Sequence, residues 1–379
     1  MEYSQRQRKH LWLYAFVCPA IDRFSRIVQK IAPPEEIFDS PPDALKKYVS
    51  EEAIAKMRAH NSESYIDAML DKLRTRGIDF ICRGDDDYPD SFEEVSDIIV
   101  PPEVIFLRGA RELPGKRALG VVGTRSSTAE GERIAHDFAR EFAEYDITTV
   151  TGMALGIDSA ATQGALDGGG RVVGVLGCGV DVPYPADNQT LVKRMLDNGG
   201  TLMSEYLPGT QPNPVYFPIR NRVIAAMCKG SLIIQAPRRS GALNTATHAL
   251  NCGRDVFVVP GSILDPKFAG SNALLRDGAI PALCARDVME ISGLVRREVK
   301  GARREPKPET KPKAVQTSLT DDELSVVMLV REREFSFDEI TSETGFDAAR
   351  LNSALTMLKI KGIIDETTGK HYRISGGAD

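Results

Sequence analysis

Cysteine is sparse in this chain and forms no pattern. The six cysteines, at positions 18, 82, 178, 228, 252 and 284, include no C-x-x-C pair. Neither a metal-ligand spacing nor a disulfide framework can be read from them, and a reducing cytoplasm is the expected compartment. No apolar run approaches the roughly 20 residues of a membrane span. Arg6, Arg8 and Lys9 ahead of the apolar stretch 11–17 look superficially like a secretory leader, but no small-x-small cleavage site follows and 21–31 reads as another amphipathic helix. An excess of positive charge is missing too: the net charge of −5 excludes a generally basic nucleic-acid coat and leaves room for a local groove. A length of 379 residues with ordinary apolar and charged fractions fits a soluble protein of two or three domains.

What the chain does have is glycine where strands run out. The β-rich runs 119–122, 147–151 and 171–176 end at Gly123-Thr124-Arg125, at Gly152-Met153-Ala154-Leu155-Gly156 and at Gly177-Cys178-Gly179. In an open parallel sheet, ligands bind beyond the carboxyl ends of the strands, where glycine lets backbone N–H groups come close to a phosphate, so the three turns are expected to line one site. Further on, Phe217-Pro218-Ile219-Arg220-Asn221-Arg222 sets an aromatic beside two guanidinium groups. Aromatic faces stack bases and Arg forks hold phosphates, a pairing that favours single-stranded nucleic acid over a small metabolite.

The organisation follows from composition. Residues 1–84 read as short helices broken by Pro33-Pro34 and Pro41-Pro42, without strand-like alternation, and 85–109 as a connecting segment. From Leu119 to about Val288 strands and helices alternate as in a doubly wound α/β sheet, giving an expected domain over 85–295. Ser127-Thr128-Ala129-Glu130 reads as a capping box opening a helix that carries Ile134, Phe138 and Phe142 on one face. Between Arg296 and Lys313 there are eight Lys or Arg, three Glu and prolines at 306, 308 and 312, which marks 296–316 as a solvated basic linker. Over 317–379, helices at 321–331, 337–343 and 348–361 followed by a hairpin give the order of a winged-helix module. Its third helix offers Arg350, Lys359 and Lys361 against Asp347, a thin footprint for DNA, so protein contact ranks above DNA reading.

A dinucleotide-dependent oxidoreductase does not fit. After Val122 the chain reads G-T-R-S-S-T-A-E-G, which lacks G-x-G-x-x-G, the second strand ends without an acidic residue for a ribose hydroxyl, and no P-loop is present.

Taken together, Val122 to Ser127, Thr151 to Asp158, Tyr184-Pro185-Ala186-Asp187-Asn188, Ser204-Glu205-Tyr206, Phe217 to Arg222, Ser240 to Ala246 and Val259-Pro260-Gly261-Ser262 resemble the DprA (Smf) family of bacterial DNA-processing proteins. The resemblance implies an extended Rossmann-like doubly wound parallel sheet, flanked by an N-terminal sterile-alpha-motif-like helical module and a C-terminal winged helix. It also implies a homodimer that binds and protects single-stranded DNA and loads RecA during natural transformation, with no cofactor, metal or membrane association. Two positions depart from the family pattern: Thr162 stands where His is usual, and Gln235 where Glu is common.

The expected DNA-binding residues are Gly123, Thr124, Arg125, Ser126, Gly152, Gly156, Phe217, Arg220, Asn221, Arg222, Arg238, Arg239, Ser240 and Gly241. Arg125 at the tip of the first turn matches the family's DNA-contacting arginine, a guanidinium placed for a phosphate clamp. Phe217, which precedes a proline, is expected in an extended segment presenting its ring to a base, with Tyr216 next in line. One of Arg220 and Arg222, more readily Arg222, could instead be structural, paired with Asp158 or Glu205. Asn221 could bond a phosphate or brace a turn. Arg238 and Arg239 extend a positive rim ahead of Ser240-Gly241, whose backbone could form an anion nest before a helix from Thr245. Tyr184, Asp187 and Asn188 read as a structural turn capping the next helix. Two other readings remain. Ser240 to His248 faintly echoes the P-G-G-x-G-T-x-x-E loop of nucleotide phosphoribohydrolases, with His248 where that chemistry needs a carboxylate, and a DNA-independent interaction hub needs no crevice at all.

Overall fold

The structure is a computed structural model that describes residues 3–18, 21–95, 97–296, 319–331, 333–361, 363–367 and 371–374. It divides into two compact units, Met1–Val299 and Lys300–Asp379. The expected linker over 296–316 lies, apart from Arg296, outside the described residues.

The first unit is built on a nine-stranded sheet of order β1-β2-β6-β5-β4-β3-β7-β8-β9. Its strands are β1 (Ile78–Cys82), β2 (Val104–Gly109), β3 (Ala118–Val122), β4 (Thr148–Thr151), β5 (Val172–Val175), β6 (Thr201–Ser204), β7 (Gly230–Ile233), β8 (Asp255–Val258) and β9 (Ile280–Pro281). From β6 across to β9 every pairing is parallel, whereas β1 with β2 and β2 with β6 are antiparallel. The order runs outward in both directions from β3, so the sheet has a topological switch point between β3 and β7, where open α/β sheets place their ligands.

Both sheet faces are covered, and every residue of β3 to β7 is buried. Leu119, Val121, Leu202 and Leu232 face one core with α7 (Ala129–Glu144) and α8 (Ile157–Asp167). Their neighbours Ala118, Val122, Met203 and Ile233 face the other, against α10 (Tyr216–Met227) and α11 (Gly241–Asn251). Helix α7 begins one residue later than a Ser127 cap implies. Thr128 caps it through Gly131 N–H at 3.1 Å, while Ser127 Oγ bonds Glu132 at 2.5 Å. Buried Gln235 accepts from Thr128 N–H at 2.9 Å, so the amide that stands where Glu is common in the family anchors this helix start.

The N-terminal helices are α1 (Gln5–Val17), α2 (Ile21–Lys30), α3 (Pro34–Asp39), α4 (Glu51–Ala59) and α5 (Glu63–Thr75). They are present as expected, but the stretch to Gly84 is not purely helical: β1 lies inside it and pairs along its length with β2. The supposed connecting segment likewise holds α6 (Asp90–Glu93) and β2. Helix α1 is sunk into the shared core. Trp12 is fully buried with its Nε1 donating to His60 O at 2.9 Å, and Tyr14 Oη donates to Glu205 O at 2.7 Å. A division after Gly84 therefore cuts through one sheet and one core.

The second unit is a winged helix: α14 (Asp321–Val330), β10 (Phe335–Ser336), α15 (Phe337–Thr344), α16 (Ala348–Ile360), β11 (Ile364–Thr367) and β12 (His371–Ile374), with sheet order β10-β12-β11. Thr320 with Glu323 and Ser336 with Glu339 form capping boxes at the first two helices, and Asp347 caps the third. The remaining helices, all in the first unit, are α9 (Gln189–Asp197), α12 (Ala269–Arg276) and α13 (Ala285–Ile291).

Candidate nucleic-acid interface

The turns after β3, β4 and β5 are locked to one another from beneath. Gly156 has φ +76 at the start of α8, and a Cβ there would lie 2.5 Å from Thr124 O, so only glycine lets the second turn close on the first. Asp158, fully buried in the first turn of α8, accepts Gly152 N–H at 2.9 Å and Ala154 N–H at 3.3 Å. Burial pushes its carboxyl up to about 6, opposed by the nearby Arg220 guanidinium and by backbone N–H groups that include Gly123. Arg220 reaches the same place from α10. Its Nη1 donates to Gly152 O at 2.9 Å and to Val175 O, and burial brings its guanidinium down to about 10. Asn188 completes the lock by donating to Met153 O at 2.9 Å and accepting from Ser159 at 3.0 Å.

This arrangement corrects the picture of glycine amides turned toward a phosphate. The N–H groups of Gly123 and Gly152 serve Asp158, and Gly177 lets a ring lie on the backbone, since a Cβ there would stand 2.8 Å from the Phe217 ring. Phe217 is not extended. It occupies the first turn of α10, where Pro218 costs no hydrogen bond because the opening N–H groups of a helix have no intrahelical acceptor. Above these parts opens a crevice of about 460 Å³ lined by Gly123, Thr124, Arg125, Gly152, Phe217, Arg220, Asn221, Arg239, Ser240 and Gly241, with Tyr184 on one wall.

The upper surface of the crevice is aromatic and cationic. The half-buried Phe217 ring sits 5.3 Å from Tyr184, tilted 30°, with the exposed Arg125 guanidinium 5.4 Å from its centroid and Arg220 at 6.0 Å on the inner side. Neither Arg125 nor Arg239 has an ion pair or hydrogen bond among the described residues. Helix α11 begins at Gly241 rather than Thr245, capped by Ser240 Oγ accepting Ala242 N–H at 3.3 Å, so its first turn and its positive dipole end face the crevice directly.

Several expected residues lie elsewhere or do other work. Arg222 is buried and clamped by Glu205 at 2.6 and 2.8 Å, away from the crevice, and Tyr216 stacks on Tyr206 with centroids 4.3 Å apart. Asn221 braces: its Oδ1 accepts from Arg220 and its Nδ2 donates to Gly241 O at 3.2 Å. Ser126 and Gly156 shape the turns without lining the crevice, and Arg238 opens onto a neighbouring hollow with Arg276. Asn188 makes no side-chain cap on α9. Thr162, where the family usually has His, is buried and bonds Asp158 O at 2.9 Å. Asp158 and Tyr184 are the contributors that sequence reasoning undervalued. An acid in the first turn of a helix entered from a glycine loop was the available signal for Asp158.

Residues 79–293 match the family described as DNA recombination-mediator protein A, and 309–370 match the DprA winged helix domain. The chain belongs to the DNA recombination-mediator protein A family. Among curated members, it is 37% identical over 280 residues to the putative DNA processing protein DprA of Mycobacterium tuberculosis, covering 73% of this chain and 70% of that one. With the DNA processing protein DprA of Streptococcus pneumoniae the identity is 38% over 205 residues, 54% of this chain and 71% of the relative. The X-ray structure of DprA from Streptococcus pneumoniae superposes with a TM-score of 0.59 at 29% identity, covering 76% of this chain and 98% of that one. A structure concerning the single-stranded DNA binding mode of DNA processing protein A from Helicobacter pylori gives 0.50 at 26% identity, over 56% of this chain and 94% of that one. Among the described residues no helix is long and apolar enough to cross a membrane.

Proposed function

We propose that the chain binds single-stranded DNA in the crevice at the switch point, protects it and loads a RecA recombinase onto it during natural transformation, working as a cytoplasmic homodimer. The observation that carries the reading is the exposed Arg125 guanidinium, without an acid partner among the described residues, set over the Phe217 ring. A free cation beside an aromatic face suits a chain of alternating phosphates and bases and has no obvious use in a metabolite pocket. Support comes also from the Helicobacter pylori relative, whose structure concerns single-stranded DNA binding, and from the family's description as a recombination mediator.

In this reading Arg125 and Arg239 hold phosphates, with Arg238 on the outer rim, Phe217 and Tyr184 take bases, and the α11 start at Ser240 and Gly241 adds backbone donors. Arg220, Asn221 and Asp158 are positioning residues under the turns shaped by Gly123, Thr124, Ser126, Gly152 and Gly156, and Arg222 is structural. We assign no catalytic step. At the position where the phosphoribohydrolase loop needs a carboxylate stands His248, half-buried and held below its usual range by desolvation. We assign the winged helix to protein contact rather than DNA reading.

Anisotropy with labelled poly-dT and the matching duplex, at two salt concentrations, tests this. The single strand should be preferred, with affinity falling by about 0.7 log unit per log unit of salt for each phosphate neutralised. Arg125→Ala should weaken binding and reduce that slope, and a chain ending before the linker should keep most of the affinity. Equal binding of duplex, or an Arg125→Ala protein identical to wild type, would sink the reading. Recombinase loading is tested separately by RecA filament nucleation on single strands precoated with a single-strand-binding protein, and no acceleration would remove that role.

A further inference from the structure

Tyr184 is the common wall of three adjoining cavities. The crevice of about 460 Å³ meets a small cleft of about 80 Å³ along Arg125, Gly152, Tyr184 and Phe217. The cleft in turn shares Leu176, Tyr184 and Pro185 with a larger hollow of about 930 Å³, whose lining has only Tyr184 in common with the crevice. This hollow lies between α9 and the strand face. Leu196 comes from the helix, Arg108 of β2 and its register partner Leu202 of β6 from the sheet, and the turn 180–185 forms a further wall.

The chemistry of the hollow repeats that of the crevice. Val182, Val192 and Leu196 supply half-buried apolar surface, and the exposed Arg108 and Lys193 supply cations that have no ion pair or hydrogen bond among the described residues. Of the two acids on the lining, Asp181 is taken up by Arg76 at 2.7 Å and by Gly209 N–H at 2.7 Å, which leaves Asp197 as the one uncommitted carboxylate against two free cations. Elsewhere on this unit exposed cations commonly sit beside acids: Arg74 with Asp71, Arg140 with Glu144 and Arg194 with Asp167. A long-stemmed cation over apolar surface, left without an acid, is the arrangement that takes a phosphate while the base lies against the floor.

We infer that the hollow is a second subsite for the same strand, which turns about Tyr184 as it leaves the crevice, with Arg108 and Lys193 on phosphates and unstacked bases against Val182, Val192 and Leu196. The inference rests on the single-stranded DNA reading and extends it: affinity then depends on strand length beyond what the crevice alone can hold.

The test uses the full chain with the double variant Arg108→Ala/Lys193→Ala and two dT oligomers, one of roughly 6 nucleotides and one of roughly 20, lengths that bracket common single-strand site sizes. Binding of the short oligomer should match wild type. The long oligomer should lose about tenfold in affinity, and its salt slope should fall by about 1.4, two phosphate contacts' worth. Both side chains are exposed, so the melting temperature should hold, and the charge-keeping variant Arg108→Lys/Lys193→Arg should restore the long oligomer. Long-oligomer affinity and slope equal to wild type would overturn the second subsite, and so would equal losses for both lengths. Arg125→Ala measured alongside separates the failures. If it weakens both oligomers while the double variant weakens neither, the crevice stands and the hollow falls. If it weakens neither, the single-stranded DNA reading falls and the hollow with it.

Discussion

The crevice and the winged helix hold their cations in opposite states. On α16, the helix that would enter a major groove, Arg350 is bonded twice to Asp322, at 2.5 and 2.7 Å, and lies 4.3 Å over Phe346. Lys361 just beyond the helix is bonded to Glu323 at 2.7 Å, and Lys359 has a partner as well. At the crevice, Arg125 and Arg239 reach solvent with no acid among the described residues, and the acid that does lie there, Asp158, is buried below and faces Arg220. A cation already bonded to a carboxylate must give up that bond to take a phosphate, whereas a free one exchanges only water. A DNA-binding shape is therefore weaker evidence of a nucleic-acid site than the pairing state of the cations it presents.

The largest effect should come from the one ion pair of the crevice unit that, among the described residues, is buried on both sides. Glu205→Ala leaves Arg222 buried and uncompensated, a loss expected at about 3–5 kcal/mol, while Asp322→Ala at the more exposed pair of the winged helix should cost far less. Denaturant titrations of the two variants check it. Equal losses would mean that burial does not separate the units as described.

Glycine sharpens the same contrast at the next level. Gly156 and Gly345 both have positive φ, at +76 and +68, but a Cβ on Gly156 runs into the carbonyls of Thr124 and Arg125, whereas one on Gly345 meets nothing within 4 Å. Gly345→Ala should cost about 1 kcal/mol, the ordinary strain of a helix end. Gly156→Ala should cost about 2 kcal/mol or more and weaken single-stranded DNA binding too, because the turn that carries Arg125 must move. A Gly156→Ala protein with normal affinity would detach the turns from the site.

Phe217 tests the aromatic half of the crevice. Stacking on a base is worth about 1–3 kcal/mol by alanine substitution and leaves the salt dependence alone. Phe217→Ala should therefore lower single-stranded DNA affinity about tenfold with an unchanged salt slope and a small change in melting temperature. Phe217→Trp should bind normally, and Arg350→Ala should alter neither affinity nor slope. A large drop in melting temperature with normal affinity per folded molecule would make the ring a packing anchor and pass the stacking role to Tyr184, since Tyr216 is already stacked on Tyr206.

What was legible in the sequence follows the same division between local and long-range causes. The parallel strands β3, β4 and β5 and the three winged helices could be read within a residue or two, because a buried β-rich run ending in glycine and an amphipathic helix behind a capping residue are local patterns. Strand β1 could not. Ile78-Asp79-Phe80-Ile81-Cys82 is five residues with an acid inside, and what makes it a strand is distant: Tyr3 and Arg111 bond Asp79, and β2 supplies the ladder. Arg220 was read as a phosphate contact because an arginine near an aromatic looks exposed in a sequence. Its burial depends on which face of α10 meets β5, and that is set by the carbonyls of Gly152 and Val175. Arg125 and Phe217 were each singled out in the sequence, but not as neighbours, and the helical setting of Phe217 was not legible, since a proline after a residue argues for extension except within a helix's opening turn.

The smallest effect concerns a charge far from the crevice and asks whether that unit can be perturbed without touching the site. The helices α7 and α8 point their N-terminal ends at the glycine turns, and His136, two turns along α7, meets Asp167 near the other end of α8 at 2.8 Å, with Arg194 on the same carboxylate at 2.6 Å. The hydrogen bond to Asp167, helped by Asp137, holds His136 above its usual range. A base whose folded value is raised adds stability below its unfolded value of about 6.5, and that contribution is lost as pH rises through the folded value. The crevice unit should therefore lose a little stability as pH climbs from about 6.5 toward the alkaline side, by less than about 1 kcal/mol because the pair is partly exposed and screened. His136→Gln keeps a hydrogen-bond donor for Asp167 without titrating there, so it should flatten that step in a plot of melting temperature against pH. Single-stranded DNA affinity at fixed pH should stay at the wild-type value. A step that survives the substitution would assign it to another group, and a loss of DNA affinity would mean that the far ends of α7 and α8 are coupled to the turns after all.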